Sequence, residues 1–426
     1  MRLSCVAVQP VARAGETLIT QALLTIQAPP RSAGAAMPTA LALVLDRSGS
    51  MDGPAFDRAR AAMRAAMDTM RPEDYLCVVA SGRRPELLIP ARPVASRTGF
   101  RALTNSVSCQ DWGPVSSALE CAVETLQQVP SEVWPRRALL LTDGWLGAPE
   151  HARLRRAAEL AASVGVRLDV VLCGSEGDLL ALYELARLTL GACRCVNSTE
   201  EAHRTGHRWA EDLTQVAASQ LELTVASTEG CELTPMAPCR GTRLPDLALG
   251  SQTGVGLRLR CDPRAPGVYR MGQVELAYRN ASTGIPAVAR ADIIMEFADH
   301  GAQGLEDADD PEVARHLLLD AELESLGQVL SEWRPDRKSA GSAASVLRER
   351  AGALQAAGLT ETAAMVWKAE AAASSPSRDD PRPFIIEAIA RAAEERWLAS
   401  RGRGQESAPV VGVLGGVGHA VDPNAL

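Results

Sequence analysis

Two apolar or alternating runs open the chain, Leu3 to Val8 and Thr17 to Gln27, the second followed by Pro29-Pro30. Period-two alternation puts every other side chain on one face, so both runs predict β-strands. From Ala40 the pattern changes. LALVLD is followed by a helical period near 53–70, then YLCVVAS, ELLIP, helical periods near 97–108 and 115–128, RALLLTD, a helix near 150–163, VRLDVVLC, a helix near 178–190 and CRCVN. Apolar strands alternating with amphipathic helices predict a mostly parallel sheet covered on both faces, because parallel neighbours need a crossover between them. A helix near 199–218 then leads into LELTVAS, GVGLRLRC, GQVELAYRN and AVARADIIMEF, separated by Pro, Gly and Asn turns. That spacing predicts an antiparallel sandwich.

Residues 1–30 cannot bury a two-sided core alone, so they are expected to complete the sandwich and make the α/β unit an insertion in it. The predicted fold class is therefore α/β. A doubly wound, mostly parallel sheet over 38–200 is inserted in a β-sandwich made of 1–30 and 215–298. The acidic connector ADHGAQGLEDADDPE ends the sandwich. Apolar residues at helical spacing over 310–333, 340–357, 360–374 and 382–400, broken by Pro335, Gly358 and Pro376, predict an α-helical region at 310–400. The Gly, Val and Pro-rich stretch 401–426 is expected to be a flexible tail.

Composition narrows the function classes. The chain has 426 residues, enough for two or three domains, and 46% of them are hydrophobic against 23% charged, a soluble globular balance. Net charge is −8 and aromatics are only 4% of residues, which argues against nucleic acid as a partner. Of 44 basic residues only Lys338 and Lys368 are lysines. No apolar run is long enough for a signal peptide core or a membrane span, so a cytoplasmic protein without membrane contact is expected. The ten cysteines sit singly at apolar positions such as Cys5, Cys77, Cys121, Cys173 and Cys261, and read as buried free thiols. No C-x-x-C pair occurs, and Cys193-Arg-Cys195 is too tight a spacing for zinc.

Candidate chemistry is concentrated after two strands. Asp46, Ser48 and Ser50 stand at alternate positions directly after LALVL, and Asp143 follows RALLLT and precedes Gly144. Alternate spacing at a strand's C-terminal end directs three oxygen donors at the crevice where open α/β sheets bind ligands. Two hydroxyls backed by two carboxylates suit a hard cation, Mg²⁺ first, with Mn²⁺ or Ca²⁺ as substitutes.

These motifs resemble the von Willebrand factor A domain. VLDRSGSM is similar to that family's metal-ion-dependent adhesion site signature and LLLTDG to its later aspartate motif, over residues 40 to about 200. The resemblance implies that Ser48 and Ser50 touch the metal while Asp46 and Asp143 hold it through water. It also implies a Thr in the loop before the 115–128 helix, where a gapless register places Gly113. Gly113 offers only backbone or a water there. Either Asp111, Ser116 or Ser117 substitutes, or the site is degenerate and purely structural. On the first reading, restoring a hydroxyl with Gly113→Thr strengthens binding.

Other candidates are weaker. His203 and His207 fall four apart on a predicted helix without an intervening Glu, so a solvated face is the simpler account. There is no G-x-S-x-G elbow and no His near Ser48 or Ser50 in sequence, and VGVLGGVGHAV lacks the Lys and Ser or Thr of a phosphate loop. HARLRRAAEL reads as a solvated basic face. The expected function is a non-enzymatic interaction module or scaffold, in which a metal's open position accepts an Asp or Glu of a partner protein and the helical region offers a second surface. The alternative is an adaptor for a MoxR-type AAA+ ATPase or a signalling system, with a degenerate metal site.

Overall fold

The computed structural model describes residues 1–9, 11–29, 38–94, 102, 106–109, 113–130, 133–174, 177–236, 243–299, 311–334, 336–375, 380–389 and 391–392. Most of the helix expected near 97–108, the connector from 300, Pro335, Pro376 and the tail 401–426 lie outside these residues.

A six-stranded sheet forms the α/β unit. Its strands are β4 (Ala40–Leu45), β5 (Tyr75–Ala80), β6 (Glu86–Pro93), β7 (Arg136–Thr142), β8 (Val166–Leu172) and β9 (Cys193–Cys195), in the order β6-β5-β4-β7-β8-β9. All pairings are parallel except β5 with the edge strand β6. Central β4 is buried along its whole length, which is why it reads as an unbroken apolar run. Its alternation still sorts two cores. Ala40, Ala42 and Val44 face helices α2 (Val115–Gln127), α3 (Ala148–Ser163) and α4 (Leu179–Leu188), whereas Leu41, Leu43 and Leu45 face α1 (Pro54–Thr69) and α5 (Thr199–Thr214). Gly206 lets α5 approach α1 closely, since a Cβ there would lie 2.1 Å from the Ala62 carbonyl oxygen.

Two further sheets pack on a shared core that includes Leu24, Ile26, Leu223, Leu257 and Phe297. One is β1 (Arg2–Ala7), β3 (Leu18–Gln27), β14 (Gln252–Cys261) and β11 (Cys231–Pro235), in that order and antiparallel throughout. The other runs β12 (Arg243–Leu244), β10 (Val216–Ser227), β15 (Gly267–Asn280), β16 (Pro286–Ala298) and β2 (Val11–Arg13), with β13 (Leu247–Ala248) also on β10. The N-terminal segment thus supplies strands to both sheets. β2 pairs with β16 in parallel, an exception to the antiparallel pattern expected of this region. The helix expected to run to 218 stops at Thr214, because Ala218 pairs with both β13 and β15.

Helices α6 (Pro311–Glu332), α7 (Arg337–Ala356) and α8 (Thr360–Ser374) follow. Their buried residues, among them Leu326, Leu330, Leu347 and Val366, belong to the same contiguous cluster as Leu119, Leu154 and Leu182 of α2–α4. The C-terminal helices therefore share a core with the α/β unit. Val313 and Leu317 of α6 also meet Leu23 of β3 and Met236. Among the described residues no helix is long and apolar enough to cross a membrane.

Candidate metal centre

The backbone leaves β4 at Leu45, and its next residue becomes an anchor. Asp46 is almost fully buried and accepts hydrogen bonds from the Ser48 N–H at 2.9 Å, the Thr142 hydroxyl at 2.7 Å and the Ser81 hydroxyl at 3.4 Å. The Ser48 contact, two residues on, is an Asx-type turn that bends the chain out of the strand direction. A single 3₁₀ turn at Gly49–Met51 follows, closed by the Met51 N–H on the Ser48 carbonyl and held down by the buried Met51 side chain. Strand alternation, the expected device, therefore ends before Ser48. The turn itself brings Ser48 Oγ and Ser50 Oγ to 3.1 Å, with Ser48 half-buried and Ser50 exposed.

β7 delivers the second carboxylate. Asp143 directly follows Thr142, whose hydroxyl holds Asp46, so one residue ties the ends of the two central strands together. Asp143 Oδ1 accepts from the Trp145 N–H at 3.2 Å, and Gly144 takes φ +77° to make that turn. Asp143 Oδ2 is buried and accepts no hydrogen bond. Burial pushes the Asp46 carboxyl above its ordinary range and the nearby Asp143 charge pushes it further, while the Ser48 and Thr142 donors pull it back. Two carboxylates this close, one with an oxygen unpartnered, form a site with excess negative charge.

The position expected to lack a ligand is closed sterically. Gly113 is buried, and a Cβ on it would lie 2.2 Å from the carbonyl carbon of Gly82, in the loop after β5. Two backbone segments touch there, so a threonine at 113 needs the two loops to part before its hydroxyl can serve as a ligand. Asp111 lies outside the described residues. Ser116 is buried in the first turn of α2, where its N–H donates to Glu150 Oε1 of α3 at 2.6 Å, and Ser117 is half-buried beside it.

Several neighbours escaped the sequence reading. Ser81 and Thr142 hold Asp46, and the Arg47 guanidinium spans the Ser81 carbonyl and Glu86 Oε2 at 2.9 and 2.8 Å. Their signal was present, since Ser81 follows the apolar run YLCVVA as Asp46 follows LALVL. The Cys109 thiol is pushed up to about 11, by burial first and then by Asp52, with Asp46 and Asp143 adding to it. Its spacing in sequence pointed to none of these carboxylates. His203 and His207 sit on the exposed face of α5, and the Ser48 hydroxyl has Ser50 for a partner. Cys195 donates to the Gly174 carbonyl, while Cys193 is buried.

Among the described residues no three His, Cys, Asp or Glu side chains converge as a metal-ligand group. The donor set at Asp46, Ser48, Ser50 and Asp143 is instead mixed carboxylate and hydroxyl oxygen, the set a small hard cation accepts with water completing its shell. A cleft of about 790 Å³ lies elsewhere, between the start of β7 and β8 and the sandwich strands β10 and β12, lined by Trp134, Arg136, Arg167, Gln220 and Asp246 among others.

Residues 41–145 match the von Willebrand factor type A domain. A solved von Willebrand factor type A protein from Catenulispora acidiphila superposes with TM-score 0.70 at 15% identity, covering 91% of this chain and 95% of that one. The ArnB paralog VWA2 from Sulfolobus acidocaldarius gives TM-score 0.61 at 15% identity over 93% and 98% of the two chains. An uncharacterized protein of Synechocystis sp. is 21% identical over 266 residues, 58% of this chain, and the aligned region spans 63% of that relative's length. The structural matches extend beyond the α/β unit, so the likeness includes the flanking sheets and helices. Sequence and fold together identify a von Willebrand factor type A domain as the α/β unit of this chain.

Proposed function

We propose that the chain is a protein-interaction module that binds a divalent cation at Asp46, Ser48, Ser50 and Asp143 and takes a partner's Asp or Glu through it. The observation that carries this reading is the buried, unpartnered Asp143 Oδ2 beside a second buried carboxylate. A buried carboxylate oxygen without a donor is costly, and a cation is the partner that would offset both charges at once. The Ser48 and Ser50 hydroxyls would face the metal, and Asp46, already committed to three donors, would act from behind them. When bound, Mg²⁺ or Mn²⁺ would supply a Lewis-acidic position at which a carboxylate is the strongest protein donor. Exposed Ser50 keeps that position reachable from outside.

Titration calorimetry with Mg²⁺ and Mn²⁺, on the wild-type chain and on Asp143→Asn, tests the metal. Wild type is expected to bind at up to millimolar concentration, with the heat lost in the variant. A folded wild-type chain with neither heat nor thermal shift at millimolar metal would leave the site purely structural. Capture of a partner from native cells, with and without EDTA, then tests the bridge. Capture that survives EDTA but needs residues 310–400 would assign the interaction to the helices.

A further inference from the structure

The sandwich holds a second cluster of reactive groups, unconnected to the crevice above. Cys231 opens β11, the edge strand of its sheet, and stands directly opposite Cys261 at the end of β14. The Asp262 N–H donates to the Gly230 carbonyl at 2.8 Å while the Cys231 N–H turns away to Thr228. This places 231 and 261 at a non-hydrogen-bonded pair, the closer of the two antiparallel pair types, where α-carbons sit about 4.5 Å apart. That separation falls within the range disulfides span, about 4.4–6.8 Å. The two sulfurs are 3.2 Å apart, inside ordinary nonbonded contact for sulfur. Arg264 donates to both, Nε to Cys261 Sγ at 3.2 Å and Nη2 to Cys231 Sγ at 3.4 Å. Its guanidinium is pinned by the Glu229 carbonyl at 2.6 Å and lies over the Tyr269 ring at 5.1 Å.

From this geometry we infer that Cys231 and Cys261 are a redox-active dithiol, which a peroxide converts reversibly to a cross-strand disulfide. Edge position leaves Cys231 partly accessible, whereas Cys261 is fully buried behind it. The asymmetry assigns the roles. Burial alone would raise the Cys231 thiol, but hydrogen bonds from Thr228, Cys261 and Arg264 outweigh it and hold it below the ordinary thiol range. Cys261 is pushed the other way, by burial first. Thiolate character with access is what makes a cysteine the attacking one.

The Cys231 thiolate attacks one oxygen of hydrogen peroxide, the O–O bond breaks, and hydroxide leaves to be protonated to water, giving the sulfenic acid. Cys261 then attacks that sulfur. The S–S bond forms, and hydroxide leaves with the proton from the Cys261 thiol as a second water. Two thiols are oxidised by two electrons, and one peroxide is reduced to two waters. A small-molecule dithiol reverses the step by exchange. The bridge would close the segment that carries β12, β13 and Asp246. Asp246 pairs with the buried Arg137 of β7 at 2.8 Å, so the bridge constrains the segment joining sandwich to α/β unit.

The full chain, reduced with dithiothreitol and desalted, is treated with one equivalent of hydrogen peroxide, alkylated and mapped by mass spectrometry. The expected product is one peptide pair joined through Cys231 and Cys261, two hydrogens lighter, with both thiols restored by dithiothreitol and a raised unfolding midpoint while oxidised. Arg264→Gln is expected to slow cross-linking several-fold and Arg264→Lys to recover most of the rate. If both thiols are alkylated once the peroxide-treated wild-type chain is unfolded, if Cys231 advances to the sulfinic acid unlinked, or if either cysteine pairs with another such as Cys5, the inference is wrong. An unchanged rate in Arg264→Gln would remove Arg264 from it.

Discussion

At the scale of single residues the crevice divides its labour between two aspartates, and the difference is testable. Asp46 satisfies three donors from three segments, so Asp46→Ala strands the Ser48 N–H and the Thr142 and Ser81 hydroxyls. It is expected to cost about 3 kcal/mol in denaturant unfolding with or without metal. Asp46→Ala is therefore a poor probe of binding, because it removes a structural anchor together with a candidate ligand. Asp143→Asn keeps the Oδ1 contact to Trp145 and removes one of two neighbouring like charges. Its stability is expected to hold within about 1 kcal/mol or to rise, while metal heat is lost. Gly113→Thr is expected to destabilise by about 2 kcal/mol or more, read from the thermal midpoint, because the opposing atoms are Gly82 backbone and have no rotamer to yield. A Gly113→Thr chain of wild-type stability with tighter Mg²⁺ binding would show that the two loops separate.

Between elements, charged side chains do work that the apolar pattern hides. Asp169 on β8 is almost fully buried and joins three segments: it accepts from Arg167 at 3.0 Å, from the Ala192 N–H before β9 at 2.7 Å, and from the Trp209 indole of α5 at 2.7 Å. Burial by itself would raise this carboxyl. The Arg167 and Arg137 charges and the two N–H donors outweigh burial and hold it below the usual carboxylate range. A depressed folded-state value means that the group's stabilisation is present above the unfolded value, about 3.9, and is lost as pH falls through the folded one. Acid unfolding followed by circular dichroism should therefore steepen below about pH 4. Asp169→Asn should flatten that limb and cost about 3 kcal/mol at neutral pH, since Arg167 keeps its charge and loses the foremost of the carboxylates that offset it. The sequence run VRLDVVLC announces a strand clearly enough, but nothing in it says that its one carboxylate ties α5 to the sheet. Helix α5 shows the same limit at its end. Alanines after Thr214 read as helix, and only the pairing of Ala218 with β13 and β15 turns them into strand.

For the molecule as a whole, the N-terminal strands are structural members of the sandwich although about 190 residues of chain separate them from the rest of it. Ten consecutive residues of β3 pair with β14, and β2 pairs with the edge of β16. Deleting residues 1–30 uncovers β14 and much of the shared core around Leu24 and Ile26, so aggregation is expected by light scattering. A soluble deletion with an unchanged melting midpoint would contradict that role. Short-range periodicity was enough to mark the strand and helix alternation from Ala40 to Cys195, the strand-rich flanks, the C-terminal helices, and the two strand ends bearing Asp46 and Asp143. Period two and period 3.6 are local properties, and a run of ten residues is enough to display them. Contacts whose partners lie far apart in the chain came only with folding. Gly82 against Gly113, Ser81 and Thr142 on Asp46, Trp209 on Asp169, and Cys231 opposite Cys261 across 30 residues all follow from register and loop path. Local preference leaves those two quantities free, and the packing of the whole chain sets them.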